Sequence, residues 1–164
     1  MKMLTIAVTT VAALALAACS EEKPPEAAAP APTNTAQGGP APNSVAYFNQ
    51  VVGDRVFFAT DQHSLDGEAR RTLDRQAQWF LANPGSTITV EGHADERGTR
   101  QYNLALGARR ANSVRSYLVS RGLPANRMRA VTFGKERPAA LCSAENCWSQ
   151  NRRGVSIVAG APSS

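Results

Sequence analysis

The run Val90-Glu91-Gly92-His93-Ala94-Asp95-Glu96-Arg97-Gly98, continued by Tyr102-Asn103-Leu104-Ala105-Leu106-Gly107-Ala108-Arg109-Arg110-Ala111, constrains the fold more than any other part of the chain. It reads as a buried strand, a polar loop containing glycine, and then a helix. Asn103 and Arg110 are seven positions apart, two helical turns, so they share one face with Leu106 and Gly107 between them. Helical side chains lean toward the N-terminus, which aims Arg110 back at the loop holding Asp95. A fixed acid and a fixed guanidinium then face one small cavity. That pair suits a zwitterionic ligand such as an amino acid: the carboxylate holds an ammonium, and the arginine fork holds a carboxylate in bidentate fashion. The free N–H groups at the helix start favour the same carboxylate. A plainer reading of the residues is a structural Asp95–Arg110 salt bridge. Gly107 leaves room for a ligand or for close packing.

Around this unit the chain alternates strand-like and helix-like segments. Arg55-Val56-Phe57-Phe58-Ala59 reads as a short strand. Gly67 to Leu81 carries Leu73, Ala77 and Phe80 at helical spacing and stops before the breaker cluster Asn83-Pro84-Gly85. Thr87 to Gly92 is strand-like, and Tyr102 to Ser120 is a long helix ending at Gly122 with Pro124 just beyond. Arg129 to Phe133 and Gly154 to Ala159 are further strands, with a short helical turn around Glu145 to Ser149 between them. The order β-α-β-α-β-(α)-β predicts a two-layer α/β sandwich, a mixed four-stranded sheet with helices on one face.

Before this domain lie two different segments. Met1-Lys2 and the uncharged, mainly apolar run from Leu4 to Ala18 are too short for a membrane span and read as a signal peptide, residues 1–18. Residues 19–44 are rich in Ala and Pro, lack apolar periodicity, and read as an extended, disordered tether. The folded domain is expected at 45–164, its last strand ending near Ala159. The formal net charge is +5, carried almost wholly by arginine; Lys2, Lys23 and Lys135 are the only lysines. No basic run is interleaved with aromatics, so nucleic acid is not indicated. An anionic glycan–peptide mesh fits such a surface better.

Leu16-Ala17-Ala18-Cys19 directly follows the apolar run and resembles a bacterial lipobox, in which Cys19 becomes the lipid-modified first residue. Ordinary cleavage leaving a free Cys19 is the rival reading. In lipoproteins an Asp after the Cys tends to mean retention in the inner membrane, so Ser20 points to the outer membrane. With Cys19 lipidated, Cys142 and Cys147 remain, and an even remainder in an exported chain suggests a disulfide. A metal site is the alternative, though no second ligand pair lies near.

The spelling resembles the OmpA-like domains, most closely in the branch of the peptidoglycan-associated lipoproteins of Tol–Pal systems. The resemblance rests on Gly92-His93, Asp95, Gly98, Asn103, Leu106, Arg110-Ala111, Phe133-Gly134-Lys135-Glu136-Arg137-Pro138 and Gln150-Asn151-Arg152-Arg153. It implies that Asp95 and Arg110 hold the diaminopimelate of a peptidoglycan stem peptide without covalent chemistry. It also implies that Phe58 and Asp61 border the ligand, although Ala59-Thr60 stands where the family more usually has an aromatic just before the Asp. His93, Gly98 and Asn103 complete the expected site, His93 having a plainer reading as a satisfied, partly buried side chain. Asp61 equally fits a turn or a helix cap, Tyr102 reads as packing, and Arg152 and Arg153 as sheet-edge support or a surface contact. By resemblance the partners are TolB and other Tol proteins, and the outer membrane through the lipid. No cofactor or metal is expected. Two other functions compete. One is a metal-dependent cell-wall hydrolase using His63, His93, Asp95 and Glu96, poorly supplied with ligands. The other is an envelope module that binds a protein partner and no peptidoglycan.

Overall fold

The computed structural model describes residues 39–161. Contacts divide the chain into Met1–Ala36 and Gln37–Ser164, and every described residue lies in the second unit. The expectations for the signal peptide, for Cys19 and for most of the tether therefore lie outside the described residues.

The domain opens with a short helix α1, Val45–Tyr47, which widens into a π-helical stretch, Phe48–Gly53. There follow strand β1 (Arg55–Phe57), helix α2 (Gly67–Ala82), strand β2 (Thr87–His93) and helix α3 (Arg100–Ser120). A single 3₁₀ turn, Ala125–Arg127, leads into β3 (Met128–Gly134), and the chain ends with α4 (Glu145–Asn151) and β4 (Arg153–Ala159). The strand order is β1-β4-β2-β3. β4 runs antiparallel to β1 and to β2, whereas β2 and β3 are parallel. This is the mixed four-stranded sheet expected from the sequence.

Three differences from the expectation have clear causes. The domain takes in residues that read as tether: Ser44 is fully buried and caps α1, and the Pro42 carbonyl accepts from the Trp79 indole N–H at 2.8 Å. A buried indole needs an acceptor, and a proline-rich segment still offers carbonyls. Helix α3 starts two residues before Tyr102 because Thr99 caps it, accepting from Tyr102 N. The π-helical stretch, invisible in the pattern, lets Phe48 pack against Trp79 and Phe80 with ring centroids 5.0 and 5.1 Å away.

α2 and α3 cover one sheet face. Ile88, Val90, Leu73, Phe80, Val114 and Leu118 make its core, each with 2% exposure or less. Strand alternation sends Phe57 and Ile157 to the other face, where both are half exposed. At the end of α3, Gly122 takes φ 95°, and the amides of Gly122 and Leu123 donate to Val119 and Leu118 in a Schellman cap. Arg127 closes the α2–β2 turn by donating to the carbonyls of Phe80, Asn83 and Ser86.

One close approach sets the position of α3 on the sheet. A Cβ on Gly92 would lie 2.7 Å from the Gly107 carbonyl carbon and nearer still to its oxygen. A Cβ on Gly107 would lie 2.8 Å from the Gly92 oxygen and nearer to the Thr132 hydroxyl. Of the two uses open to Gly107, close packing is the one realised. Gly92→Ala is expected to force α3 off β2 and to cost about 3 kcal/mol, the upper end for an overpacked core. Urea unfolding with an unchanged m-value would check it.

Candidate functional site

The end of β2 delivers Asp95 to one end of the sheet. A register shift falls between Gly92 and His93, so the strand turns out of the ladder just before the polar loop. The loop is held open by Gly98 at φ 89° and by Asn103, whose amide donates to the Arg97 carbonyl at 2.8 Å. Opposite stands the β1–α2 loop, where Asp61 takes φ 61°, the only non-glycine residue with positive φ among those described. Such a backbone costs energy and is found where a side chain must be aimed. The Tyr102 hydroxyl donates to the Asp61 carboxylate and ties the two loops together. Between them lies a cleft of about 300 Å³ lined by Thr60, Asp61, Asp95, Arg97, Gly98, Tyr102, Asn103, Leu106 and Arg110.

Arg110 forms the cleft floor with no exposed surface. Its Nε donates to Gln62 O at 2.8 Å, and its two terminal nitrogens to His93 O at 2.8 Å and Ala59 O at 3.2 Å. Three of the five guanidinium N–H groups are thus used on backbone. Phe58 lies beneath, its ring centroid 5.2 Å from the guanidinium carbon. Burial pushes the Arg110 pKa down to about 10, with Asp95 opposing and Arg152 adding to the fall. The side chain is therefore cationic at neutral pH. Its field reaches the cleft, whose lining it shares with Thr60 and Asp61.

Asp95 does not pair with Arg110. Its carboxylate takes Arg97 at 2.7 Å and Arg152 at 3.4 Å. Burial works against the Asp95 charge, but the Arg97 and Arg152 hydrogen bonds outweigh it and hold the carboxyl below its ordinary value. Arg152 is itself buried, donating to Phe58 O at 3.0 Å and to the Glu145 carboxylate. Glu145 belongs to α4, whose entry is clamped by a disulfide between Cys142 and Cys147 with Cα atoms 5.6 Å apart. So the disulfide expected from cysteine counting forms, and it lies one helix away from the acid of the cleft.

The residues singled out from sequence divide into two groups. Asp95, Arg110, Asn103, Asp61 and Gly98 meet in the cleft. Phe58 and the His93 ring do not line it: Phe58 is buried under Arg110, and the His93 ring follows strand alternation to the opposite sheet face, stacked on Phe133 at 5.6 Å. Only the His93 carbonyl serves the site. Nor is that histidine satisfied, since both ring nitrogens are buried without a hydrogen-bond partner; Glu91 at 3.4 Å is near but not aligned to bond. Burial pushes its pKa down to about 4, helped by Arg153 and Arg137, so it is neutral at pH 7. Tyr102, read as packing, lines the cleft instead, and the helix cap is Asp66, not Asp61. Arg97, Glu145 and the 148 position were missed: an indole in the disulfide segment, 4.2 Å from the Arg97 guanidinium, belongs to Trp148. Arg97 lies two positions from Asp95 in sequence; no local pattern linked either residue to the α4 region. Among the described residues no three His, Cys, Asp or Glu side chains converge as a metal site.

The OmpA family pattern matches residues 57–152, from the last residue of β1 through the cleft to the end of α4. The chain belongs to the OmpA family. Within it, the chain is 52% identical over 160 residues to the peptidoglycan-associated lipoprotein of Rhizobium meliloti, covering 96% of this chain and 89% of that one. It is 38% identical to the protein of that name from Haemophilus influenzae, covering 86% and 88%. The crystal structure of the peptidoglycan-associated lipoprotein from Burkholderia pseudomallei superposes with a TM-score of 0.65 at 37% identity, over 68% of this chain and 96% of that one. The C-terminal domain of Helicobacter pylori MotB shares the fold alone, with a TM-score of 0.59 at 19% identity over 65% of this chain and 84% of that one. These relatives place the chain in the peptidoglycan-associated lipoprotein branch of the OmpA family.

Two outcomes are expected from the geometry. Arg110→Ala leaves three carbonyls without their donor and is expected to destabilise the domain by about 3–5 kcal/mol in urea unfolding. His93 has a folded pKa of about 4 against the ordinary histidine value of 6.5, so the unfolded chain binds the proton more tightly. Its contribution is fully present above pH 6.5 and is lost as pH falls toward 4. The urea midpoint is expected to drop across that window, and His93→Asn to remove that part of the slope.

Proposed function

We propose that this protein is an envelope lipoprotein whose cleft binds the diaminopimelate-containing stem peptide of peptidoglycan, non-covalently and without enzymatic activity. The observation that carries this reading is the meeting of Asp61, Asp95 and the Arg110 cation in one cleft of amino-acid size. A diamino acid in a peptide keeps an ammonium and a carboxylate on its free end. Asp95 offers the counter-charge for the ammonium, and the Arg110 field, with the Asn103 amide and the start of α3, favours the carboxylate. The name shared by the relatives supports the same ligand. Gly98 shapes the loop, while Phe58 and His93 support the site from behind through Arg110.

In this reading Cys19 carries the lipid, the segment between it and Pro42 reaches from the outer membrane, and the folded domain faces the periplasm and grips the wall. Several acyl chains give stable anchoring where one is marginal. The Tol–Pal assignment, with TolB and other Tol proteins as partners and a role in envelope integrity and division, follows from the family name and is proposed on that basis.

The test is a calorimetric titration of the full-length protein in mild detergent with muropeptides of the diaminopimelate type and of the lysine type. Saturable binding of the first type only, lost in Asp95→Ala, is the expected result. A folded protein that binds neither type would move the function to a protein partner.

A further inference from the structure

The Asp95 carboxylate has no vacant acceptor position. Oδ1 accepts from the Arg97 backbone N–H at 3.2 Å and from Arg97 Nε at 3.3 Å. Oδ2 accepts from the Arg97 terminal nitrogen at 2.7 Å and from Arg152 at 3.4 Å. An ionised carboxylate offers about four lone-pair directions, and all are taken. Any ammonium that is to sit on Asp95 must therefore displace a donor.

The two arginines differ in how readily they leave. Arg152 has a side chain only 7% exposed, fixed by the Phe58 carbonyl and by Glu145. The Arg97 side chain is 40% exposed. Its guanidinium lies 4.2 Å over the Trp148 ring, and its other contact is a long one, 3.4 Å to the Thr60 hydroxyl across the cleft mouth. Glu96 and Glu145 stand near enough to favour its charge. A departing Arg97 thus has an aromatic face and two carboxylates on which to rest.

We propose that Arg97 is a built-in surrogate for the ligand's cation: it fills the ammonium position on Asp95 in the free protein and yields it when ligand arrives. This rests on the stem-peptide reading of the cleft. Apparent affinity is then reduced by the fraction of molecules in which Arg97 occupies the acid. The device also sets specificity. A neutral side chain cannot evict a bidentate guanidinium, whereas an ammonium replaces one cation by another and leaves Asp95 paired.

Titrating full-length wild type, Arg97→Gln and Arg97→Lys with a diaminopimelate muropeptide tests this, with Trp148 emission followed alongside heat. Arg97→Gln is expected to bind about two- to five-fold tighter, the factor set by the strength of a partly exposed ion pair. Arg97→Lys restores a competing cation and returns affinity toward wild type. In wild type, ligand shifts tryptophan emission as Arg97, released from Asp95, changes its contact with Trp148, and the shift is absent in Arg97→Gln. Equal or weaker binding by Arg97→Gln, with wild type binding normally, would overturn the surrogate role and leave the cleft assignment standing. Absence of binding in all three proteins would overturn the cleft assignment and the surrogate with it.

Discussion

A single buried cation organises this domain. Arg110 projects from the middle of α3 and donates hydrogen bonds to three carbonyls, those of Ala59 and Gln62 on the β1–α2 loop and that of His93 at the end of β2. A guanidinium without solvent exposure survives only if its N–H groups are used, and backbone carbonyls supply that use without the desolvation cost of a second buried charge. The consequence is geometric: one side chain fixes the distance between the β1–α2 loop and the end of β2. Those two segments are the walls of the cleft. The lean of helical side chains toward the N-terminus gives the guanidinium its reach.

That arrangement depends in turn on the contact of Gly92 with Gly107. With any side chain at either position, α3 would stand further from β2 and Arg110 would lose the His93 carbonyl. The same economy recurs elsewhere. Arg127 clamps three carbonyls at the α2–β2 turn, and Arg153 donates to the carbonyls of Arg137 and Asn151. Much of the arginine that makes the chain basic is spent on holding loops, with a planar fork of five donors suited to carbonyl groups. Net charge alone had favoured a solvated basic surface, and the burial of Arg110, Arg152 and Arg153 modifies that view.

Around Asp95 the electrostatics are layered. Glu145 on the disulfide-clamped helix holds Arg152, Arg152 holds Asp95, and the more exposed Arg97 completes the carboxylate. The deep partner keeps the acid ionised and in place, and the outer partner is the one that can exchange. An acid kept charged by one fixed and one movable cation is ready to receive a third without passing through an unpaired state.

Most of the fold was legible along the chain. Breakers at Asn83-Pro84-Gly85, the Gly122 stop, strand alternation and helical spacing depend on neighbours a few residues away, so they leave a readable pattern. The π-helical stretch and the inclusion of Pro42 to Ser44 left none, because both answer to Trp79 and Phe80 thirty or more positions off. Of the cleft, the sequence determined that Asp95 lies in the loop just after a strand and that Asn103 and Arg110 share a helix face, since each follows from local periodicity. Only the tertiary structure decided that Arg110 binds backbone instead of Asp95, that the buried His93 ring is left without a hydrogen-bond partner, and that Arg97, Arg152 and Glu145 stand in line behind the acid. Those outcomes turn on contacts made across 48 to 57 positions of chain, and desolvation favours the pairing that satisfies most donors, a sum that no local spacing encodes.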